Sequence, residues 1–254
     1  MTAPLFFDIE TGPLSLDAIK QVTRPFKSKL KHPGEFDPAS VKYGVTKDEA
    51  KRAAKLQECR EKHEAAIAEY ESKASKEESE YWQEIVDRAA LSALTGQVLA
   101  IGYGNETNCT VDHILSEKRN GDEAAILTTF WSKFVERQKS RQKMIGFNIK
   151  TFDVPFLAQR SFILGVDVPE GYMEGDWPSK TFVDINTRWM AGSRGFNGTL
   201  DEIARACGVG QKPDGVSGAL FYELYGNPET RSQALDYAIN DVVLTRAIAM
   251  RIGI

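Results

Sequence analysis

The sequence predicts an α/β fold, in which helices are layered on a central sheet. Two apolar runs, residues 4–9 (PLFFDI) and 97–104 (QVLAIGYG), have the length and composition of buried strands. After residue 115, helical and strand patterns alternate along the chain. Early strands followed by such alternation are typical of a layered α/β domain. With 254 residues and 42% hydrophobic content, the chain can bury one sizeable core.

The first predicted element is a buried strand at residues 4–9, which is expected to end at its acids. The strand at 97–104 is followed by residues 108–115, and the two are expected to form a hairpin across residues 105–107. Between the first strand and this hairpin lies a segment of different character, residues 24–95, which we treat as an insertion.

The insertion divides into two parts by composition. Its first part has the Pro, Gly and Lys content of an extended loop. Residues 47–90 contain no Gly or Pro and are rich in Glu, Lys, Arg and Ala, which predicts helix. The Ser-rich stretch 71–79 is expected to divide this part into two antiparallel helices. Their apolar residues at helical spacing form a stripe, which favours packing on the predicted α/β domain or on a second subunit.

Alternating elements complete the chain. The pattern predicts a helix at 121–138, a strand at 143–148, a helix at 152–165, a strand at 181–186 and a helix at 199–206. Thr199 and Glu202 form a capping-box pair, which marks the start of that helix. Asn227 and Pro228 supply an N-cap and a first-turn proline for a final helix that runs close to the C-terminus.

Four acidic residues interrupt apolar sequence at separate points of the chain. Asp8 and Glu10 lie on the same side of the first strand, because strand side chains alternate. Asp153 stands where a strand and loop become a helix, and Tyr237 and Asp241 share one face of the last helix. Carboxylates gathered at the edge of a core would repel one another, so they need a compensating cation. Oxygen ligands without His or Cys favour Mg²⁺ or Mn²⁺ over zinc.

Three short motifs carry a resemblance to a known family. DIET at 8–11, NIKTFD at 148–153 and YAIND at 237–241 occur in the order and approximate spacing of the DEDD 3′→5′ exonucleases. The tyrosine of the third motif is similar to that of the DEDDy branch, within the DnaQ-like, RNase H-like superfamily. The sequence most resembles the proofreading exonuclease domain of family B DNA polymerases, and 96–104 looks like the second strand of that group.

The resemblance implies one RNase H-like exonuclease domain spanning residues 1–254, with a mixed central sheet flanked by helices. It covers about 5–22 and 96–254, and the charged helical insertion at about 24–95 follows the first strand without a counterpart. As a hypothesis, the insertion restricts or guides access to the site.

The resemblance also implies a role for each motif residue. Two Mg²⁺ or Mn²⁺ ions would be bound, with Asp8 bridging them, Glu10 and Asp241 completing the tighter site, and Asp153 holding the second ion. Tyr237 would orient the attacking water. The positions that match contacts to the terminal nucleotide are Thr11, Asn148 and Phe152.

The implied activity is hydrolysis of single-stranded nucleic acid from its 3′ end, with release of nucleoside 5′-monophosphates. DNA is the favoured substrate, and a 3′–5′ exoribonuclease is the alternative, because the motifs fit both. Two other classes stay open. One is a nucleic-acid or protein-binding module without catalysis, and the other is a two-metal phosphohydrolase that acts on smaller phosphates.

Each motif residue also has an ordinary structural interpretation. Asp8 and Glu10 fit a simple strand end, Asp153 fits a helix N-cap, and Tyr237 fits packing on an apolar face. Only the occurrence of all three motifs in order favours the catalytic interpretation. Asp184, another acid beside a strand, is expected to serve the strand end or a turn, without a catalytic role.

A glycine pair in the second strand resembles part of a dinucleotide-binding fingerprint. Residues 102–104 read GYG, but Thr107 stands where a third glycine is needed, and no helix follows directly. We therefore reject a dinucleotide site at this position.

The charge pattern limits how the chain can meet a polyanion. A net charge of −4 argues against a broad basic surface, so nucleic acid would be held by local basic patches or by metal ions. Each candidate patch fits a solvated surface as well as a phosphate contact. The candidates are Lys20, Arg24, Lys27, Lys29 and Lys31, then Arg137, Lys139, Arg141 and Lys143, and Lys212.

Cysteine usage and hydropathy indicate the cellular compartment of the protein. The three cysteines lie far apart and form no C-x-x-C pair, which is typical of a reducing environment. No apolar run is long enough for a membrane span or a signal peptide, so we expect a cytoplasmic protein without a membrane partner. A second copy or another protein is expected to bind through the 47–90 helices, if a partner exists.

Overall fold

The computed structural model describes residues 4–105, 108–113, 119–193, 195, 198–213 and 218–254, without side chains for 119–122. The chain forms two compact units. The sheet unit comprises Met1–Ile19 and Arg88–Ile254, and the insertion unit comprises Lys20–Asp87. Among the described residues, no helix has the length and apolar character that crossing a membrane requires.

The elements of the sheet unit follow the predicted alternation. The strands are β1 (Leu5–Pro13), β2 (Gly96–Gly104), β3 (Cys109–His113), β4 (Met144–Gly146), β5 (Met173–Glu174), β6 (Trp177–Pro178) and β7 (Phe182–Asp184). Helices α1 (Leu16–Val22) and α2 (Glu49–Ala89) lead into and out of the insertion unit. The remaining helices are α3 (Arg119–Lys139), α4 (Asp153–Leu164), α5 (Ile185–Met190), α6 (Leu200–Cys207), α7 (Gly218–Gly226) and α8 (Arg231–Arg251).

The main sheet is five-stranded and mixed, in the order β3-β2-β1-β4-β7. Strand β1 pairs antiparallel with β2, which pairs antiparallel with β3, whereas β4 runs parallel to both β1 and β7. This arrangement confirms the predicted α/β fold with a mixed, helix-flanked sheet. The predicted hairpin is present, although residues 106–107 of its turn and residues 114–115 lie outside the described residues.

Strand β1 separates two hydrophobic clusters. Leu5, Phe7 and Ile9 pack with residues of α3 and α4, whereas Phe6 packs with residues of α6 and α8. The ring of Phe7 lies 5.2 Å from that of Phe130 in α3, centroid to centroid. Because side chains alternate along a strand, the positions two and four residues after Phe6 belong to the face that α8 covers.

Helix α8 lies close to the sheet because β2 presents two glycines to it. A Cβ atom at Gly102 would stand 2.9 Å from Val242 Cγ2 and 3.0 Å from the backbone oxygen of Ala238. A Cβ atom at Gly104 would stand 2.6 Å from Val242 Cγ1. The GYG sequence that resembled a nucleotide fingerprint therefore serves close helix-to-sheet packing.

We expect Gly102→Ala to destabilise the protein by about 1–3 kcal/mol, because the added methyl group overpacks a contact with helix backbone, which no rotamer change relieves. Urea unfolding followed by circular dichroism measures the effect. The control is Gly226→Ala at the end of α7, where an added Cβ atom meets nothing within 4 Å. Equal stability of the two variants would contradict this account of how α8 is seated.

Two predicted element boundaries are wrong. Strand β1 does not end at its acids but continues to Pro13, because it keeps pairing with β2 past an irregularity between Glu10 and Thr11. The last helix begins after Thr230, since the Asn227 side chain accepts the N–H of Glu229 in a separate turn.

The alternative interpretation of Asp153 as the N-cap of α4 does not hold. Phe152 is the N-cap and makes no side-chain capping bond, and Asp153 is the first helical residue. The other ends agree with the sequence: Gly165 ends α4 in the left-handed conformation, and Thr199 and Glu202 form the capping box of α6.

In the insertion unit, α2 is one continuous helix of 41 residues, so the prediction of two antiparallel helices is wrong. The Ser-rich stretch 71–79 stays helical. It contains no proline or glycine that would end the helix, and neither do the helical residues on either side of it. Residues 26–43, which precede α2, run antiparallel to this helix and contact one side of it. The contacts are Phe26 with Tyr81, Ser28 with Glu77, His32 with Tyr70, Phe36 with His63 and Tyr43 with Arg52.

Within the sheet unit, the end of β1 lies next to the start of β2, although the whole insertion separates them in the sequence. The backbone N–H of Leu14 donates to the carbonyl of Thr95 at 2.8 Å, and the Gln97 side chain donates to the carbonyl of Pro13 at 2.9 Å. The β1–β2 pairing is therefore closed by its own hydrogen bonds at the end where the insertion departs.

Candidate active site

Three carboxylates from two elements meet at the face of the sheet that α8 covers. Asp8 and Glu10 come from β1, and Asp241 comes from α8. One carboxylate oxygen of each residue lies within 4.8 Å of the others. Glu10 and Asp241 are buried, and Asp8 is half-buried. The sheet and its covering helix thus bring together residues more than 230 positions apart in the sequence.

Asp153 joins this group from the other side of β1. Strand β4 pairs with β1 only at Leu5 and Phe6, so the N–H of Ile9 has no partner on that strand. The Asp153 carboxylate accepts this N–H at 3.3 Å, from the first turn of α4. Its charge raises the pKa of Asp8, which places both carboxylates in one electrostatic group.

Burial raises the pKa of all four carboxyl groups, and repulsion by the other acids of the group adds to it at Asp8 and Glu10. For Asp8, burial acts first, and the charges of Asp153, Asp241 and Glu10 add to it. Burial and the charge of Asp241 raise the pKa of Glu10. Burial also raises the pKa of Asp241, and it raises that of Asp153 to about 7 although backbone N–H groups favour its ionised form. The group therefore binds protons, or another cation, more strongly than isolated carboxylates do.

The residues fit a divalent cation. The donors are carboxylate oxygens alone, which Mg²⁺ and Mn²⁺ prefer. Asp241 Oδ1 is buried and has no hydrogen-bond partner among the described residues. A buried, unpaired carboxylate oxygen is costly unless a cation meets it.

Lys212 supplies a positive charge to the same carboxylates. Its Nζ atom lies 2.6 Å from Asp241 Oδ2 and 2.6 Å from the Tyr237 hydroxyl, and 4.6 Å from the centre of the tyrosine ring. Burial disfavours the charged amine, but the ion pair with Asp241 outweighs it and raises the pKa of Lys212. Lys212 is held in turn by Asp201, whose carboxylate accepts its backbone N–H at 2.6 Å.

Sequence reasoning singled out Lys212 only as a weak phosphate-binding candidate. Its contacts with the site join a loop to a helix 25 and 29 residues later, so no local pattern reveals them. The one signal available is that Lys212 is the only cation of the Gly-rich stretch 208–218, which precedes the third motif.

Tyr237 is a neutral phenol directed at the acids. It is buried, and its hydroxyl lies 2.6 Å from the same Lys212 Nζ atom that pairs with Asp241. Burial and the nearby charge of Asp241 raise the pKa of Tyr237 to about 12, although Lys212 acts in the opposite direction. The hydroxyl therefore keeps its proton at neutral pH and is available to hydrogen-bond a ligand.

The three predicted nucleotide-contact residues each make a different contact within the protein. Thr11 donates its hydroxyl to the carbonyl of Ala90 at 2.8 Å. Asn148 adopts the left-handed conformation, with φ 61°, and its side-chain oxygen accepts the Thr151 hydroxyl at 2.8 Å. Phe152 is half-buried and packs on Phe156, with 5.5 Å between ring centroids. Their contacts with a nucleotide stay a prediction.

Asp184 serves the backbone, as the sequence predicted. Its carboxylate caps α5 by accepting the N–H of Thr187, and it also accepts the N–H groups of Asn148 and Lys150, each at 3.0 Å. Asp184 therefore fixes the loop between β4 and α4, which leads to Asp153.

We expect the metal-free protein to lose stability as pH rises from about 4 to about 7. The pKa of Asp153 is raised from 3.8 to about 7 in the folded state, so in this window the folded protein holds protons that the unfolded chain has released. Ionising these carboxyls together in the fold is unfavourable, and stability falls. Divalent cations bind the ionised form, so their stabilising effect should grow with pH.

Thermal unfolding in EDTA and in MnCl₂, at pH 5 and pH 8, measures this effect. The melting temperature in EDTA should be lower by several degrees at pH 8, and the gain from Mn²⁺ should be larger there. A melting temperature that rises with pH in EDTA would contradict the expectation.

Comparison with known proteins adds two findings to this geometry. Residues 88–253 match the model of a family described as "Predicted 3'-5' exonuclease related to the exonuclease domain of PolB". The match includes Asp153, Tyr237 and Asp241, and it begins after Asp8 and Glu10. No curated protein sequence matches the chain significantly.

Among solved structures, the chain is similar to the family B DNA polymerase from the hyperthermophilic archaeon Pyrobaculum calidifontis. The two are 23% identical and superpose with a TM-score of 0.53 over 65% of this chain. The match spans 23% of the polymerase chain. At this identity the likeness concerns the fold, and it agrees with an RNase H-like α/β domain.

Proposed function

Because this chain belongs to the family of predicted 3′–5′ exonucleases related to the exonuclease domain of PolB, we propose that it hydrolyses single-stranded nucleic acid from the 3′ end. DNA is the favoured substrate, and nucleoside 5′-monophosphates are the products. The observation that carries the proposal is the convergence of Asp8, Glu10 and Asp241 within 4.8 Å. The charge of Asp153 acts on Asp8, and Lys212 joins Tyr237 to Asp241 at 2.6 Å from each.

The four acids would hold two divalent ions, Mg²⁺ or Mn²⁺. Asp8, Glu10 and Asp241 are grouped closely enough to serve one ion, and Asp153 with Asp8 would serve the other. When bound, such ions activate water and stabilise the charge on the leaving 3′-oxygen. The acids also explain how a chain of net charge −4 accepts a polyanion, since the ions stand between the carboxylates and the phosphate.

Tyr237 would position the attacking water. Its hydroxyl keeps its proton, because burial raises its pKa to about 12, so it acts as a hydrogen-bonding group and not as a base. Lys212 fixes the ring from above its face and holds the hydroxyl at 2.6 Å. Thr11, Asn148 and Phe152 would line the pocket of the terminal nucleotide.

We expect Lys212→Met to lower kcat by roughly 10²-fold, because the phenol of Tyr237 and the carboxylate of Asp241 lose the group that orients them. Lys212→Arg keeps the charge and should recover part of the rate. Steady-state hydrolysis of a short oligonucleotide measures kcat and KM separately. A change confined to KM would assign Lys212 to substrate binding instead.

The deciding experiment digests matched DNA and RNA oligonucleotides that carry a label at the 5′ end. With Mg²⁺ or Mn²⁺ we expect a ladder of products shortened one nucleotide at a time, and none in EDTA. A blocked 3′ end should stop the reaction. Faster shortening of RNA would favour the exoribonuclease, and the absence of shortening on either strand would overturn the proposal.

One observation favours a second candidate, a nucleic-acid or protein-binding module without catalysis. Lys212 already pairs with Asp241 at 2.6 Å and supplies part of the charge that a metal ion would bring. Binding of oligonucleotide without hydrolysis in any metal, together with no stabilisation by Mn²⁺, would support this module.

A further inference from the structure

A cavity of about 700 Å³ lies along the edge strand β7, outside the carboxylate group. Four basic side chains line it, and we call it the basic groove. They come from different parts of the sheet unit: Lys143 before β4, Lys150 after β4, Lys180 before β7, and Arg188 in α5. One acidic residue, Asp184, lines the groove beside these four cations.

The basic groups stand at both ends of β7. Lys143 donates its Nζ hydrogen to the carbonyl of Lys180 at 2.7 Å, at the end where the strand begins. Lys150 and Arg188 belong to the segments at the other end. The three residues of β7 separate the two ends by roughly 10 Å, at about 3.3 Å per residue. The groove is therefore long enough for more than one phosphate of an extended strand.

Acidic residues neutralise only part of this charge. Asp184 lines the groove, but its two oxygens already accept three backbone N–H groups. Glu174 forms an exposed ion pair with Lys180 at 3.5 Å, and Lys150 also acts on it electrostatically. Arg188 is exposed, so its guanidinium is open to solvent. The groove thus keeps a net positive charge.

The groove is connected to the acids by a short piece of chain. Lys150 belongs to the same loop as Asn148, and three residues later Asp153 begins α4. Asp184 holds this loop through the backbone of both Asn148 and Lys150. A nucleic-acid strand whose 3′ end reaches the acids would meet Lys150 near Asp153. The upstream part of that strand could then follow the groove away from the acids.

We propose that the basic groove binds the sugar-phosphate backbone of the substrate strand, upstream of its 3′ end. This inference rests on the proposed function, since it assumes that the strand ends at the acids. Lysine and arginine contacts with phosphates fix the position of a strand without reading its sequence. The same chemistry would accept a free phosphate or a nucleoside monophosphate, so the experiment separates these sources.

The test compares Lys150→Gln/Arg188→Gln with wild type by fluorescence anisotropy, using a labelled 12-nucleotide oligothymidylate in EDTA. Because metal is absent, binding is read without hydrolysis. We expect affinity to fall roughly tenfold at low salt, and the slope of log K against log salt to fall by about 1.4, as for two lost phosphate contacts on a single strand. A trinucleotide is too short to reach the far end of the groove, so it should lose little in a variant that changes only Lys143 and Lys180.

The matched control is Lys42→Gln/Arg251→Gln, which removes the same charges from exposed positions outside the groove. Lys143→Gln/Lys180→Gln tests the other end and replaces the first pair if that pair fails to fold. Unchanged affinity and slope in both groove variants would overturn the proposal. The groove variants could instead lose the same affinity for oligonucleotides of every length, while thymidine monophosphate competes as well as an oligonucleotide does. This result would assign the groove to a free phosphate and would also overturn the proposal.

Failure of the proposed function has a different signature. If wild type binds the oligonucleotide through the groove but shortens it in no metal, the groove stands and the exonuclease proposal fails. If wild type shortens the oligonucleotide and groove variants bind normally, the exonuclease stands and the groove fails.

Discussion

Asp8→Asn should abolish metal-dependent shortening of oligonucleotides, with kcat reduced by at least roughly 10³-fold. Asp8 is the acid on which three other carboxylates act, so it is the shared member of the proposed ion sites. Asparagine keeps its shape and removes its charge. The ions would then be held weakly, and the remaining residues cannot replace their effect on water and on the leaving oxygen.

The same substitution should have the opposite effect on the stability of the metal-free protein. Burial and three neighbouring acids raise the pKa of Asp8, so its ionised form is unfavourable in the fold. Above pH 7, Asp8→Asn in EDTA should melt at or above the temperature of wild type, and it should lose the gain from Mn²⁺. Its matched control is Asp236→Asn, an exposed carboxylate on α8.

Asp236→Asn should leave both rate and metal response unchanged. Undiminished hydrolysis by Asp8→Asn would mean that the active site does not lie at these acids. A loss of activity accompanied by a lower melting temperature in EDTA would instead indicate that Asp8 supports the fold.

Arg160→Met should destabilise the protein by about 3–5 kcal/mol, because it leaves a buried carboxylate without its partner. The guanidinium of Arg160, in α4, contacts Glu123, in α3, through two bonds of 2.8 and 2.7 Å. Both side chains are buried, with 3% and 0% exposed. Arg160 also donates to the carbonyl of Ala93, and Glu123 accepts the N–H of Val98 at the start of β2.

Urea unfolding of Arg160→Met and Arg160→Met/Glu123→Leu separates the charge penalty from the lost packing. The double variant should be the more stable of the two, because no unpaired charge is left in the core. As a control, Arg205→Met breaks a 2.9 Å pair between exposed Arg205 and half-buried Asp201, and should cost under about 1 kcal/mol. A similar small cost at Arg160 would mean that water reaches Glu123.

The sequence indicated the four acids and Tyr237 because each lies in a local pattern. Asp8 and Glu10 follow from the alternation of one strand, and Tyr237 and Asp241 follow from one turn of helix. Their convergence was inferred from a resemblance, since periodicity does not say which helix covers which strand. In the structure, Gly102 and Gly104 of β2 allow α8 to pack closely on the sheet, and this contact determines which helix covers the acids of β1.

Long-range polar contacts were the part that sequence reasoning missed. Arg160 and Glu123 look like surface charges of two amphipathic helices, and only their shared burial distinguishes them. Lys212 looks like one lysine in a Gly-rich loop. The basic groove was also missed, because its four cations are spread over 46 residues, and only Lys143 belonged to a basic run.

What covers the helix of the insertion could not be predicted from the sequence, for a related reason. Helical periodicity revealed the stripe on α2, but it does not identify what covers the stripe. Phe26, His32 and Phe36 are interspersed with Pro, Gly and Lys, a composition that reads as a solvated loop. The described contacts show that this segment packs along its own helix.

The hydrogen bond between Leu14 and Thr95 has a consequence for how this chain can change over evolutionary time. Because β1 and β2 are joined at that point, a detour of any length between them spares the register that aligns the acids. Closing a longer detour costs little, since each doubling of a flexible loop adds only about 0.6 kcal/mol of closure entropy. The pairing that aligns Asp8 and Glu10 therefore sets no limit on the length of the stretch from 20 to 87.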